Sequence, residues 1–184
     1  MSSVVFFLEE DSAKAFLENF VPRNFSQNNE YIFITFEGKQ DMEKQLPRKL
    51  RNWQRPDSLF VIFRDQDSGD CVKVKEELSN ICIKAGKPDC LIRIACRELE
   101  SWYLGDLVSV GTVYDIPNLG NHQRKRKFRN PDMLMNPDIE LNSLTNGLYQ
   151  KVSGSRQLGL LMSFASNNSY SFNNFVLGLN RLCT

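Results

Sequence analysis

The chain has 184 residues, enough for one domain with an appended helical lobe and too few for two full domains. With 41% hydrophobic and 24% charged residues it has material for a core, which excludes global disorder, and a formal net charge of +1 gives no bulk attraction to a polyanion. No apolar stretch approaches the roughly 18 residues of a membrane span and the start turns acidic at once, so a cytoplasmic protein without membrane association is expected.

Residues 4–8, Val-Val-Phe-Phe-Leu, have the composition of a strand buried on both faces. They end on Glu9, Glu10 and Asp11; Ser12 stands where an N-cap belongs, and Phe16, Leu17 and Phe20 recur at helical spacing until Pro22, which should close the helix. Tyr31–Phe36 reads as a second strand, Gly38-Lys39 as its exit, and 41–53 as a helix that Pro47 should kink or split. The run Leu59–Phe63 repeats the first pattern and breaks into Arg64-Asp65-Gln66-Asp67-Ser68-Gly69-Asp70.

Cys71, Val74, Leu78, Ile81 and Cys82 mark a further helix, and 91–96 a fourth strand, followed by Glu98-Leu99-Glu100-Ser101-Trp102. Alternating strands and helices predict an α/β fold, a parallel sheet flanked by helices. Residues 114–145 have weak periodicity and predict a long loop or small insertion; two closing helices, around Leu158–Met162 and Phe172–Leu179, form a C-terminal extension. The expected division is a core over 1–113, with the basic loop and closing helices over 114–184 packed on it as part of a single domain.

The five cysteines, Cys71, Cys82, Cys90, Cys96 and Cys183, are odd in number and contain no CxxC pair, which suits reduced thiols. A single histidine, His122, in the loop region and given no catalytic role, rules out a usual zinc site, so any metal would be a hard, oxygen-bound cation: Mg²⁺, or Mn²⁺. In a parallel sheet, ligands bind beyond the carboxyl ends of the strands. Glu9 and Asp65 both sit at such ends, Asp67 lies two residues on, and Asp70 can contribute from the start of the next helix. Clustered like charges ask for a neutralising cation, and a metal there would stabilise charge developing on a phosphate. Acids after strands also cap helices and form turns, which is the bland alternative.

Arg124, Lys125, Arg126, Lys127 and Arg129 surround Phe128, a combination that can hold phosphates and stack on a base, or simply lie in solvent. Lys39 and Lys151 are candidates for neutralising a phosphate, against a reading as surface charges. Trp102 and Tyr103 are expected in the core. Glu98 and Glu100 are two apart, so if that segment is helical one serves the site and the other is a cap or surface acid; Glu98 is taken as the fourth site residue.

The order of these motifs resembles the TOPRIM domain of topoisomerases, primases and overcoming-lysogenization-defect nucleases. More narrowly, FFLEEDSAKAFL, FEGKQDMEKQL, LFVIFRDQD, RIACRELESWYLGD, FRNPDMLMNP, GLYQKVSGS and the closing Asn168-Ser169-Tyr170-Ser171-Phe172 are similar to the domain-of-unknown-function 4276 family, over nearly the whole chain. The chain departs from that family's opening by having Glu10 in place of a glycine and Ala13 in place of a second glutamate. The resemblance implies that Glu9 is a metal ligand or general base and that Asp65 and Asp67 are the metal pair. It implies Mg²⁺- or Mn²⁺-dependent cleavage of DNA or RNA. An ATPase partner in an anti-phage defence system is also implied, with a larger assembly possible. A non-catalytic binding subunit, or nucleotidyl transfer as in primases, are the rival readings.

Overall fold

Each apolar run becomes a strand, because a segment without polar interruption must be covered on both faces. β1 (Ser3–Leu8) lies between β2 (Glu30–Thr35) and β3 (Ser58–Asp65), and β4 (Leu91–Ala95) pairs with β3. The order β2-β1-β3-β4 is parallel at every pairing, so the architecture is the α/β sheet that the alternation of elements predicts. The computed structural model describes residues 2–183.

Alternation along the strands divides the core into two layers. Val5, Phe7, Phe60, Ile62, Ile92 and Ile94 meet helices α2 (Lys39–Arg51) and α3 (Cys71–Lys84). Val4, Phe6, Leu8, Val61 and Phe63 meet a thicker layer. That layer holds α1 (Asp11–Asn24), the short α4 (Glu100–Leu104) and α5 (Leu107–Val113), and the closing helices α6 (Pro137–Leu144), α7 (Lys151–Leu161) and α8 (Tyr170–Cys183). Trp102 is its hub. The indole packs 4.9 Å from Phe63 and 5.1 Å from Phe175, and its Nε1 donates to Ser171 Oγ at 2.9 Å, so burial leaves no polar atom of the ring unpaired.

Three sequence expectations are corrected. The helix after β1 starts at Asp11, with Glu10 as its N-cap residue and Ser12 inside the first turn, where its Oγ donates to Glu10 Oε2. Pro22 lies inside α1 and does not end it, and Pro47 does not split α2, which runs from Lys39 to Arg51 as one helix. A proline inside a helix costs about 3 kcal/mol, but Met42, Leu46 and Leu50 of α2 are fully buried against the sheet, and that packing holds the helix through Pro47. Residues 114–145 are not a loop alone: three 3₁₀ segments (Leu119–Arg124, Arg126–Phe128, Pro131–Met133) precede α6. They carry no 3.6-residue stripe because single anchors hold them, chiefly Leu119, Phe128 and Leu141 in the core.

The C-terminal helices lie on the core. α7 runs against α1 so closely that a Cβ at Gly159 would land on the Phe16 carbonyl oxygen, which explains glycine there, while α8 packs beside β4. All five cysteines are free thiols. Among the described residues no helix is long and apolar enough to cross a membrane.

Candidate functional site

Register decides where the acids meet. Leu8 pairs with both Thr35 and Phe63, so Glu9 leaves β1 at the level where β3 is ending, and Asp65 closes β3 opposite Ala95 of β4. Glu9 is buried, and its Oε2 accepts the Asp65 backbone N–H at 3.2 Å and stands 3.7 Å from Arg64 Nε. Burial raises the Glu9 carboxyl above its ordinary range; Arg64 opposes that rise, and Asp67 and Glu10 add to it. Arg64, itself buried, also donates from Nη1 to Glu43 Oε1 of α2 at 3.0 Å.

Asp65 is the centre of the cluster. Desolvation drives its carboxyl well above the usual range, and the neighbouring Glu100, Glu10 and Glu9 push it further. Glu100 is 1% exposed and accepts a 2.8 Å hydrogen bond from the Tyr149 hydroxyl; burial raises it too, against the pull of Lys151 and that phenol. Asp67 sits in the left-handed region, φ 55°, and its N–H donates at 2.8 Å to the carbonyl of Arg97, also left-handed at φ 63°. Asp tolerates that conformation better than most residues. The bond, with Gln66 N–H to the Ala95 carbonyl at 2.9 Å, extends the parallel ladder past the strands and joins the loops after β3 and β4.

Lys151 enters from the start of α7. Its Nζ is 3.8 Å from Glu10 Oε2. Burial works against the ammonium, but Glu100, Glu10, Asp65 and Glu98 outweigh it and raise its pKa. The carboxylates thus face two cations, Arg64 behind and Lys151 in front, and remain in excess. The donors are all oxygens, the set that a hard divalent ion requires, and Glu9, Asp65 and Asp67 with Glu100 are those which could hold one. As they stand, no three His, Cys, Asp or Glu side chains among the described residues are grouped to close around an ion. Glu9 in particular turns one oxygen to the Asp65 amide.

The profile described as "Domain of unknown function (DUF4276)" matches residues 8–180. The chain belongs to the DUF4276 family. The fold of this DUF4276 chain is similar to that of the "C-terminal region of the Burkholderia pseudomallei OLD protein", with a TM-score of 0.57 at 13% identity, covering 97% of this chain and 98% of that one. The likeness is one of fold, over nearly the whole of both chains. No curated protein matches it.

The sequence-based candidates divide in this DUF4276 structure. Glu9, Asp65, Asp67 and Lys151 come together. Of the two acids before Trp102, Glu100 stands beside Asp65, whereas Glu98, its carboxyl raised by burial, accepts the Asp138 N–H at 3.2 Å and ties α6 to the site rim. Asp70 is used up as the cap of α3, accepting from the Val72 and Lys73 amides. Lys39 is exposed at the first turn of α2, and Gly38 N–H, bonded to the Glu9 carbonyl at 3.1 Å, brings that turn to the rim.

Arg124, Lys125, Arg126, Lys127 and Arg129 are exposed on the 3₁₀ segments, with Lys127 paired to Glu140 and Arg129 Nε donating to the Arg124 carbonyl. Phe128 is 3% exposed and fills the core, so the expectation that it stacks on a base is overturned: the aromatic is the anchor that holds the basic turn in place. Sequence reading missed Arg64 and Tyr149 as site residues and ranked Glu98 ahead of Glu100. A charge at the end of an apolar strand was the available signal for Arg64; nothing local links Tyr149 to Glu100, 49 residues apart.

Proposed function

We propose that this DUF4276 protein is a metal-dependent nuclease that hydrolyses phosphodiesters of DNA or RNA at the carboxyl edge of its sheet. The observation that carries the reading is the crowd of carboxylates at one edge, Glu9, Glu10 and Glu100 around Asp65 with Asp67 beside Glu9, met by one ammonium, Lys151, on the side of Glu10, Glu100 and Asp65. Such a cluster repels itself unless a cation joins it. Glu9, Asp65 and Asp67 would hold Mg²⁺ or Mn²⁺, which when bound supplies Lewis-acid stabilisation of charge building on a phosphate.

The chain's own groups do the rest. Lys151 neutralises a non-bridging phosphate oxygen, and its placement by α7 keeps it within the field of the acids. Glu9, raised by burial, is suited to accept a proton from the attacking water when it is not serving as a ligand. Tyr149 fixes the rotamer of Glu100. Glu98 holds α6 at the rim and is a further candidate in the proton or metal chemistry. Lys39 and the run Arg124, Lys125, Arg126, Lys127 and Arg129 bind phosphates farther along the strand. The sequence contains no GxxxxGK[ST] loop, so a separate ATPase partner would supply energy or timing, in an anti-phage defence setting in the cytoplasm.

A second reading, a non-catalytic binding subunit of such an assembly, is favoured by the lack of three ready-grouped ligand side chains among the described residues. Incubation of plasmid, single-stranded DNA and transfer RNA with Mg²⁺ or Mn²⁺ separates the two, with and without a co-purifying partner. Cuts by the wild type that vanish in Asp65→Ala and Glu9→Ala support the nuclease. Inertness of the wild type in every arm, with both variants folded and still bound to the partner, supports the binding subunit.

A further inference from the structure

Beside the acidic edge, α6, the segment that follows it and the start of α7 line an open groove of about 520 Å³, within the size range of small-molecule sites, roughly 300–1,000 Å³. Lys151 stands at one end of it, with its ammonium among the site carboxylates. The walls are mixed. Ile139, 63% exposed, supplies apolar surface, while Asn142 and Gln150 present amides that donate and accept. Gly147, at φ +78° with open space where a Cβ would be, leaves bare backbone in the lining. Behind lies Tyr149, whose hydroxyl reaches Glu100, and at the rim the Glu98 carboxylate accepts the Asp138 N–H.

We propose that this groove is a nucleoside subsite: it takes the base and sugar of the nucleotide next to the phosphate that Lys151 engages. The proposal rests on reading the acidic edge as a phosphate-processing site. Charge sets the orientation. The Asp138 carboxylate lines the groove and disfavours a second phosphate inside it, whereas Lys151 favours one at its mouth, so the uncharged part of the nucleotide lies inward. An apolar side chain against the base face with amides at its edge is how a single base is held outside a duplex. The groove therefore sets preference for the base flanking the cut, and single-stranded or frayed substrate is expected.

The test measures binding of AMP, GMP, CMP and UMP against ribose 5-phosphate, with Mg²⁺ present, by calorimetry, and maps amide shifts by NMR. The wild type should bind at least one nucleotide about tenfold more tightly than ribose 5-phosphate, with shifts centred on residues 139–151. Ile139→Ser/Asn142→Ala, both surface positions, should lose that preference while keeping its affinity for ribose 5-phosphate and its melting temperature. Equal binding of nucleotide and ribose 5-phosphate by the wild type, a preference that survives in the double variant, or shifts elsewhere would overturn the subsite. If the nucleotides bind in the groove and the wild type cuts no nucleic acid with Mg²⁺ or Mn²⁺, the subsite stands and the nuclease reading falls.

Discussion

The hydroxyl of Tyr149 donates a 2.8 Å hydrogen bond to Glu100 Oε1, and both residues are almost wholly buried, at 7% and 1% exposure. Tyr149→Phe removes the donor and leaves a buried carboxylate oxygen unpaired, which costs about 1–3 kcal/mol. Urea denaturation at pH 7 should show that loss. Glu100→Leu in the Tyr149→Phe background should cost less than the sum of the single changes; strict additivity would mean the two do not depend on each other.

The acids also set a pH dependence. Glu9, Asp65, Glu98 and Glu100 all have carboxyls raised above their ordinary range, chiefly by burial. The folded chain therefore binds protons that the unfolded chain releases, so this cluster's contribution to stability is greatest in acid and falls as pH rises from the ordinary carboxylate range, about 4, through the raised values. In EDTA the melting temperature should drop as pH rises from about 4, and Asp65→Asn should flatten the drop. An unchanged slope in Asp65→Asn would count against Asp65 as the centre of the cluster.

Mn²⁺ or Mg²⁺ at pH 7.5 should reverse that loss. An ion present at one hundred times its dissociation constant stabilises by about 2.7 kcal/mol. Glu9→Gln and Asp65→Asn should melt at the same temperature with and without the ion. A metal-induced rise that survives in both variants would place the ion elsewhere.

Asp67 and Asp70 are separable although three residues apart. Asp70→Ala removes the cap on the Val72 and Lys73 amides and should cost about 1 kcal/mol with cleavage retained. Asp67→Asn should abolish cleavage and leave stability nearly unchanged, because the side chain is exposed and asparagine tolerates the left-handed backbone as well as aspartate does. The reverse pattern would exchange their roles.

Gly159→Ala should separate α7 from α1, since the added Cβ meets the Phe16 backbone carbonyl, which has no flexible end to yield. Overpacking of that kind costs about 1–3 kcal/mol. Because Lys151 begins α7, the affinity for ribose 5-phosphate should fall along with the melting temperature. Lost stability with unchanged affinity would mean that Lys151 does not depend on the α7–α1 contact.

Much of this was local. A strand buried on both faces is legible in the residues themselves, and so is the rule that acids at its carboxyl end share one edge, which is why β1, β3, Glu9, Asp65 and Asp67 were found from composition and order. A proline misleads where packing outweighs a lost backbone bond, as at Pro22, inside α1 beside the buried Leu17, Phe20 and Val21. The stretch before α6 lacked a period because separate anchors such as Phe128 hold it. The choice of Glu100 beside Asp65, the role of Arg64 behind Glu9, and the arrival of Lys151 and Tyr149 were decided by tertiary structure alone. Lys151 and Tyr149 reach Glu10 and Glu100 from a segment some fifty residues beyond α4, which α7 docks on α1, so no local pattern shows them.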